Sequence, residues 1–122
     1  MQKFEIKVLD NNHPSTTHLP DLWQWEDEFY FVNELNPGIT VLLAGDLRTL
    51  TVDRGRLSQY PGRTFGDYFP LAWHQTFEGG RQWYTALGHK IEHYADENFI
   101  KHLEGGLRWA MNKAAAKPEM EK

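Results

Sequence analysis

Apolar and charged residues alternate near the start of the chain, and this alternation predicts a strand. Phe4, Ile6 and Val8 are apolar while the residues between them are charged, which is the period of a strand with one buried face. A turn signal follows at Asp10-Asn11-Asn12. Residues 39–43 are mostly apolar and partly β-branched, which predicts a second strand, buried on both faces.

Two further strand-like runs, residues 70–77 and 81–87, flank Glu78-Gly79-Gly80 and predict a β-hairpin. Glycine at the reversal supplies the positive φ that a tight turn needs. The first run contains His74 and the second begins with Arg81. The hairpin is therefore expected to bring polar side chains to one rim of the sheet.

The last predicted element is a helix. Apolar residues recur at helical spacing from Phe99 to Ala114, and Asp96 precedes them as an N-cap. Gly105-Gly106 inside this helix costs on the order of 1 kcal/mol per glycine in helix propensity. The pair therefore indicates a close approach to a neighbouring backbone.

Three segments lack a clear period. Residues 13–27 contain Pro14 and Pro20, which favours an irregular connection with a short helical turn. Residues 29–32 form a short apolar run. Residues 48–69 are longer than an ordinary connection, and such loops are often functional or mobile.

Composition narrows the class of protein. A chain of 122 residues is long enough for one domain and one core. The formal net charge is −4 and the scattered arginines form no basic face, which argues against a nucleic-acid partner. The absence of cysteine excludes disulfides and thiol chemistry within this chain. No membrane-spanning run or leader is visible, so we expect a soluble, cytoplasmic protein with no membrane partner.

Eight short motifs follow one another along the chain and together resemble the ThuA-like family of trehalose utilisation, over about residues 6 to 112. They are His13-Pro14, Leu19-Pro20, Asp27-Glu28-Phe29-Tyr30, Val41-Leu42-Leu43, Ala72-Trp73-His74, Gly80-Arg81, Tyr84-Thr85-Ala86-Leu87-Gly88-His89 and Gly105-Gly106-Leu107-Arg108-Trp109-Ala110. Each motif is weak alone, but their common order is specific.

This resemblance implies a class I glutamine amidotransferase-like domain, a partial flavodoxin-like α/β sandwich with a mixed sheet and a C-terminal helix. The motifs match the C-terminal half of the family's longer domain, so residues 1–116 are expected to be such a half. Residues 117–122 are expected to be a disordered polar tail. Half of a parallel sheet leaves an open edge, so we expect either a fragment of a longer protein or a chain that forms a homodimer to cover this edge.

The histidines are the first candidates for chemistry. His74 and His89 end the two hairpin strands and coincide with family motifs, so we interpret them as catalytic residues that carry protons near neutral pH. The alternative is a structural role at a strand end. His13 also matches the family and is a candidate for substrate binding, with fixing the turn as its alternative. His18 and His102 are expected at the surface.

His89, Glu92 and His93 also spell H-x-x-E-H, the inverted zinc-protease pattern. That pattern needs a helix that begins before the first histidine, yet Gly88 precedes it directly, so the family motif is the better explanation. A single divalent ion bound by histidines and a carboxylate remains an open alternative that no spacing in the sequence predicts, and the sequence assigns neither a metal nor a cofactor.

Carboxylates and aromatic residues supply the remaining candidates. Adjacent strand residues face opposite sides, so only one residue of Asp27-Glu28 can reach a site, and we select Glu28. Tyr30 would lie on the same side, and Arg81 is the expected partner of Glu28, in either a structural or a substrate-binding role. Most tryptophans in proteins belong to cores, but four of the five here are expected near the rim and suit stacking on a sugar ring: Trp23, Trp25, Trp73 and Trp83.

The sequence therefore predicts a domain of carbohydrate utilisation, for trehalose or a related disaccharide, that binds a sugar-derived ligand. Two alternatives stay open. One is a non-catalytic sugar-binding or interaction module, and the other is an inactive fragment of a domain.

Overall fold

The computed structural model describes residues 2–29, 37–50 and 67–111, which form one sheet and one packed α-helix. Short 3₁₀ turns lie at Leu47–Thr49 and Ile91–Ala95. The regular elements are β1 (Gln2–Val8), β2 (Leu22–Asp27), β3 (Thr40–Asp46), β4 (Tyr68–Phe77), β5 (Gly80–Thr85) and α1 (Glu97–Met111).

The sheet has the strand order β2-β1-β3-β4-β5. This confirms the predicted α/β class with a C-terminal helix. The sequence predicted a mixed sheet, whereas every pairing in the described part of the chain is antiparallel. More exposed and more buried residues alternate along β1, β2 and β5, which suits this arrangement because an antiparallel strand can keep one face toward water.

Strand β2 lies where the sequence predicted an irregular connection, so that prediction is wrong for residues 22–27 and agrees with the structure only for residues 13–21. Its residues alternate strictly between exposed and buried, with Trp23, Trp25 and Asp27 on the buried face. Two of them lie opposite core residues of β1, since Trp25 pairs with Phe4 and Trp23 with Ile6. The prediction was wrong because it treated Pro14 and Pro20 as breaking the whole segment, whereas both prolines precede the strand and do not interrupt it.

The hairpin of β4 and β5 confirms its prediction. Glu78 and Gly79 both adopt positive φ, at 51° and 81°, which is the backbone of a primed hairpin turn. Arg81 lies opposite Thr76, and Trp83 lies opposite His74. Strand β5 ends at Thr85, two residues earlier than predicted.

Helix α1 begins one residue after Asp96, whose Oδ1 accepts a hydrogen bond from the Phe99 N–H at 2.9 Å, as an N-cap does. The predicted close approach at the glycine pair is also confirmed. A β-carbon on Gly105 would overlap the Pro14 carbonyl, and one on Gly106 would overlap the Trp83 indole. The helix therefore packs on β5 and on the segment that precedes β2.

Several predictions fall outside the described residues. These are Tyr30 and most of the apolar run 29–32, the centre of the loop 48–69, and the tail 117–122. Within the described residues, no helix is long and apolar enough to cross a membrane.

Candidate functional site

His13, His74, Arg81 and Trp109 meet at the end of the sheet that carries the β4–β5 turn, and we call them the histidine–arginine cluster. The His13 and His74 rings are stacked, with centroids 4.9 Å apart. The Trp109 ring lies 5.1 Å from that of His13 and 4.8 Å from that of His74. The Arg81 guanidinium lies over the Trp109 ring at 4.6 Å, within cation–π distance.

Three elements assemble this cluster. His74 and Arg81 lie on the same face of the hairpin, because His74 is opposite Trp83 and Arg81 is two residues before Trp83. Trp109 belongs to the last turn of α1, which packs on that face. His13 comes from the turn between β1 and β2. Sequence reasoning selected His13, His74 and Arg81, and the structure brings all three together.

His13 has a structural role within the cluster. Its side chain is only 6% exposed, and its Nδ1 accepts hydrogen bonds from the Ser15 backbone N–H at 3.1 Å and from the Ser15 hydroxyl at 2.9 Å. The proton of the neutral ring is therefore on Nε2. Among the described residues, that buried Nε2 has no hydrogen-bond partner.

The electrostatics of the cluster keep both imidazoles neutral. The pKa of His13 is lowered to about 4, mainly by burial; the neighbouring His74 and Arg81 also lower it, and Asp10 opposes them. Burial also lowers the pKa of His74, where Asp10 again opposes and the positive charge of Arg81 contributes. Near neutral pH the cluster therefore offers neutral rings that can accept or donate a proton.

Arg81 is the positive charge of the cluster. Its Nη1 donates a hydrogen bond to the Trp109 backbone oxygen at 3.0 Å, and within the described residues no carboxylate forms an ion pair with it. The expected pairing of Arg81 with Glu28 does not occur, because Arg81 lies next to the β4–β5 turn whereas Glu28 contacts His89, beyond the other end of β5.

Glu28 instead pairs with His89, and we call these two residues the glutamate–histidine pair. Glu28 Oε2 lies 3.2 Å from His89 Nε2, and both side chains are a little under half exposed. A carboxylate that orients an imidazole in this way is a common arrangement for proton transfer.

Asp27 positions this pair, and sequence reasoning missed it. The carboxylate is fully buried and accepts hydrogen bonds from four N–H groups: the Trp25 indole at 2.9 Å and the backbone N–H groups of Glu28 at 2.8 Å, Gly88 at 2.8 Å and His89 at 3.3 Å. These bonds hold the segment after β5 against the end of β2. The alternation of Trp23 and Trp25 was the signal that Asp27 points inward.

His93 supports the same segment and is not arranged as a metal ligand. Its Nε2 donates to the Glu26 backbone oxygen at 2.7 Å, and its Nδ1 accepts from the Lys90 N–H at 3.1 Å. Both ring nitrogens of His93 are therefore engaged. In the described ranges no group of three or more histidine, aspartate or glutamate side chains is placed to hold a metal ion.

The cluster and the pair lie at different ends of β5. His74 is opposite Trp83, and Arg81 lies near the β4–β5 turn. His89 follows four residues after β5 has ended at Thr85, where the chain turns toward β2. His74 and His89, which the sequence selected together as proton carriers, therefore lie toward different ends of the strand.

His102 corrects another expectation, because it is fully buried rather than at the surface. Its Nδ1 donates to the Ser15 backbone oxygen at 2.9 Å, and its Nε2 accepts from the Thr85 hydroxyl at 3.0 Å. Burial lowers its pKa to about 4. Its position on the inner face of α1, three residues after Phe99, was the signal for burial.

The fold and its two polar groups define an α/β domain with a sheet, a C-terminal helix and two histidine-containing sites. The family model for ThuA, described as trehalose utilisation, matches residues 1–110, so the chain belongs to the ThuA family. A ThuA-like protein from Bacteroides uniformis ATCC 8492 has a similar structure, with a TM-score of 0.60 and 21% sequence identity. The similarity covers 92% of this chain and 44% of that chain, so this chain spans less than half its length. No curated protein matches the sequence.

Proposed function

We propose that this chain binds a carbohydrate-derived ligand at the histidine–arginine cluster, in the utilisation of trehalose or a related disaccharide. Membership of the ThuA family supports the metabolic context. The single observation that carries the binding proposal is the meeting of Arg81, His74 and Trp109, since it combines hydrogen-bonding groups with an aromatic surface.

Each residue has a role in this proposal. Arg81 donates hydrogen bonds to ligand oxygens, and His74, which is more exposed than His13, donates to or accepts from a hydroxyl. Trp109 contributes apolar surface for the C–H face of a sugar ring. His13 acts through His74, because it packs against that ring and fixes its position.

The glutamate–histidine pair is the better candidate for proton transfer. Glu28 would orient His89, and His89 would carry the proton. The glutamate–histidine pair is separate from the histidine–arginine cluster. For a ligand that reaches only the pair or only the cluster, this separation favours the non-catalytic alternative, a sugar-binding module. Catalysis by His74 and His89 together would require a ligand long enough to reach both ends of β5.

Titration of the ¹⁵N-labelled chain with trehalose and with methyl α-glucoside tests the binding proposal. We expect chemical-shift changes at the Trp109 indole and at the His74 and Arg81 amides. His74→Ala and Arg81→Gln should each weaken the affinity by about tenfold, as the loss of a good hydrogen bond does. Lys101→Ala, an exposed substitution on α1, is the matched control and should leave the affinity unchanged.

Two results would reject the proposal. One is the absence of any saturable shift with either sugar, and the other is an affinity that His74→Ala and Arg81→Gln leave intact. His89→Ala and Glu28→Gln separate binding from catalysis. Under the proposal they should leave the affinity at the cluster unchanged and should reduce only turnover, which is followed by release of glucose.

Two further proposals concern the extent of the unit. We keep the proposal that residues 1–116 correspond to the C-terminal half of a longer ThuA-like domain, with a polar tail after them.

We also propose that two copies pair in solution, since β2 and β5 end the described sheet and Ile100, Leu107 and Met111 expose apolar surface on α1. Light scattering over a range of concentrations tests the pairing, and a constant mass of one chain would reject it.

A further inference from the structure

The outer face of the hairpin, opposite the histidine–arginine cluster, carries a pair of stacked aromatic rings. Trp73 and Tyr84 lie directly opposite each other in the register of β4 and β5. Their ring centroids are 4.3 Å apart and their planes differ by 21°, so the rings lie face to face. We call Trp73 and Tyr84 the aromatic platform. Because Tyr84 is 39% exposed, the platform reaches the solvent.

Amide side chains lie next to the platform on the same face. Gln75 and Gln82 are two residues from Trp73 and Tyr84 along their strands and are directly opposite each other. The Gln75 Nε2 donates to the Gln82 Oε1 at 2.8 Å, which holds both amides in place. This strip of the hairpin therefore combines aromatic surface with amides and contains no charged side chain.

A groove of about 480 Å³ follows the strip. The platform and the two glutamines line it, and Arg81, Trp83 and Ala110 complete it beyond the edge of β5. Strand β5 ends the described sheet, so the groove lies along a sheet edge. A volume of this size is in the range of small-molecule sites.

We infer that the aromatic platform is a second binding surface for a saccharide and that one pyranose ring packs on Tyr84. The axial C–H groups of a pyranose form an apolar face that suits an aromatic ring, while its equatorial hydroxyls need amide donors and acceptors at the rim. The described residues that line the groove include no carboxylate to hold a cation, and Arg81 at its end can donate hydrogen bonds to sugar oxygens. The combination of stacked rings and paired amides fits a neutral sugar.

This inference shares the class of ligand with the proposed function, but it depends on different residues. The cluster lies on the inner face of the hairpin and the platform on the outer face, so each can fail alone. If both bind, Arg81 connects them, because it belongs to the cluster and also lines the groove.

Titration of the full chain with methyl α-glucoside, followed at the tryptophan indole N–H signals, tests the inference. We expect a saturable shift at the Trp73 indole, which Tyr84→Ala weakens by about tenfold through loss of the stacking surface. Tyr84→Phe keeps the ring and should retain most of the affinity. Gln82→Ala should weaken binding by a smaller factor. His74→Ala, on the opposite face, should leave this shift in place.

Several outcomes would overturn the inference. A Trp73 shift that Tyr84→Ala does not reduce would show that the platform makes no contact with the sugar. An equal shift with sorbitol, which has the hydroxyls but no ring, would remove the stacking argument, and so would the absence of any Trp73 shift. A change of solution mass in Tyr84→Phe or Tyr84→Ala would identify the platform as an interface between two copies. In His74→Ala, an unchanged Trp109 shift would reject the cluster as a binding site, whereas an unchanged Trp73 shift would leave the platform intact.

Discussion

At the scale of single residues, Asp27 shows how a buried charge can position an exposed one. Its carboxylate has no exposure to solvent, yet four N–H groups surround it, including those of Gly88 and His89 from beyond β5. A buried carboxylate with several donors is held firmly, whereas the removal of one of its oxygens would leave some of those donors without an acceptor. The geometry of His89 therefore depends on Asp27.

Asp27→Asn tests this role. The asparagine amide supplies one acceptor oxygen in place of two, so some of the four N–H groups lose their partner, and we expect a loss of roughly 3 kcal/mol in the free energy of unfolding. The amides of Gly88 and His89 should also shift in the NMR spectrum. The matched control is Glu28→Gln, at the next position and partly exposed, which should cost less than about 1 kcal/mol. Equal effects of the two substitutions, measured by urea unfolding, would contradict the prediction.

The sequence predicted part of the candidate site at this scale. The structure places His13, His74 and Arg81, which the sequence selected, next to one another at one end of the sheet, and their roles in a site stay predictions. Asp27 and His102 were missed because their partners are distant in sequence. Asp27 bonds to Gly88, 61 residues away, and His102 bonds to Ser15, 87 residues away. Local patterns carry no signal for such bonds.

At the scale of elements, helix α1 depends on two glycines that allow close packing. A β-carbon at Gly105 would overlap the backbone of Pro14 and Ser15, while one at Gly106 would overlap the Trp83 ring. The sequence predicted this contact from the cost of glycine within a helix, and it predicted the helix and the hairpin from their periods. Strand β2 was missed because its alternation is short and follows two prolines.

Gly105→Ala separates packing from helix propensity. Alanine favours the helix by about 1 kcal/mol, but at this position its methyl group would collide with backbone atoms, which cannot move as a flexible side chain can. We expect a net loss of about 2 kcal/mol in the free energy of unfolding, as overpacking causes in other cores. Lys101→Ala, on the exposed side of the same helix, is the control and should change stability by less than about 0.5 kcal/mol. A stabilised Gly105→Ala variant would contradict the close packing.

At the scale of the whole molecule, the segment around Ser15 joins the sheet, the helix and the candidate site. The Ser15 hydroxyl donates to His13 and accepts from the Trp83 indole at 3.2 Å, and its backbone oxygen accepts from His102. Both histidines are neutral at this joint, since burial lowers the pKa of each to about 4. Protonation of either ring would place an uncompensated charge where three elements meet.

The stability of the molecule should therefore fall in mild acid. In the unfolded chain these two histidines bind protons below about pH 6.5, whereas in the folded chain they bind protons only near pH 4. The unfolded state therefore gains protons first as the pH falls, and folding stability is lost between these two values. The expected slope is on the order of 1 kcal/mol per pH unit for each histidine, measured by urea unfolding from pH 4.5 to 7.5.

His102→Gln, whose neutral amide can make both hydrogen bonds, should flatten this slope. Thr85→Val removes one hydrogen bond of His102 without removing the ring, so it should lower stability by a similar amount at every pH. If His102→Gln kept the slope of the parent chain, the titration of His102 would not be its cause.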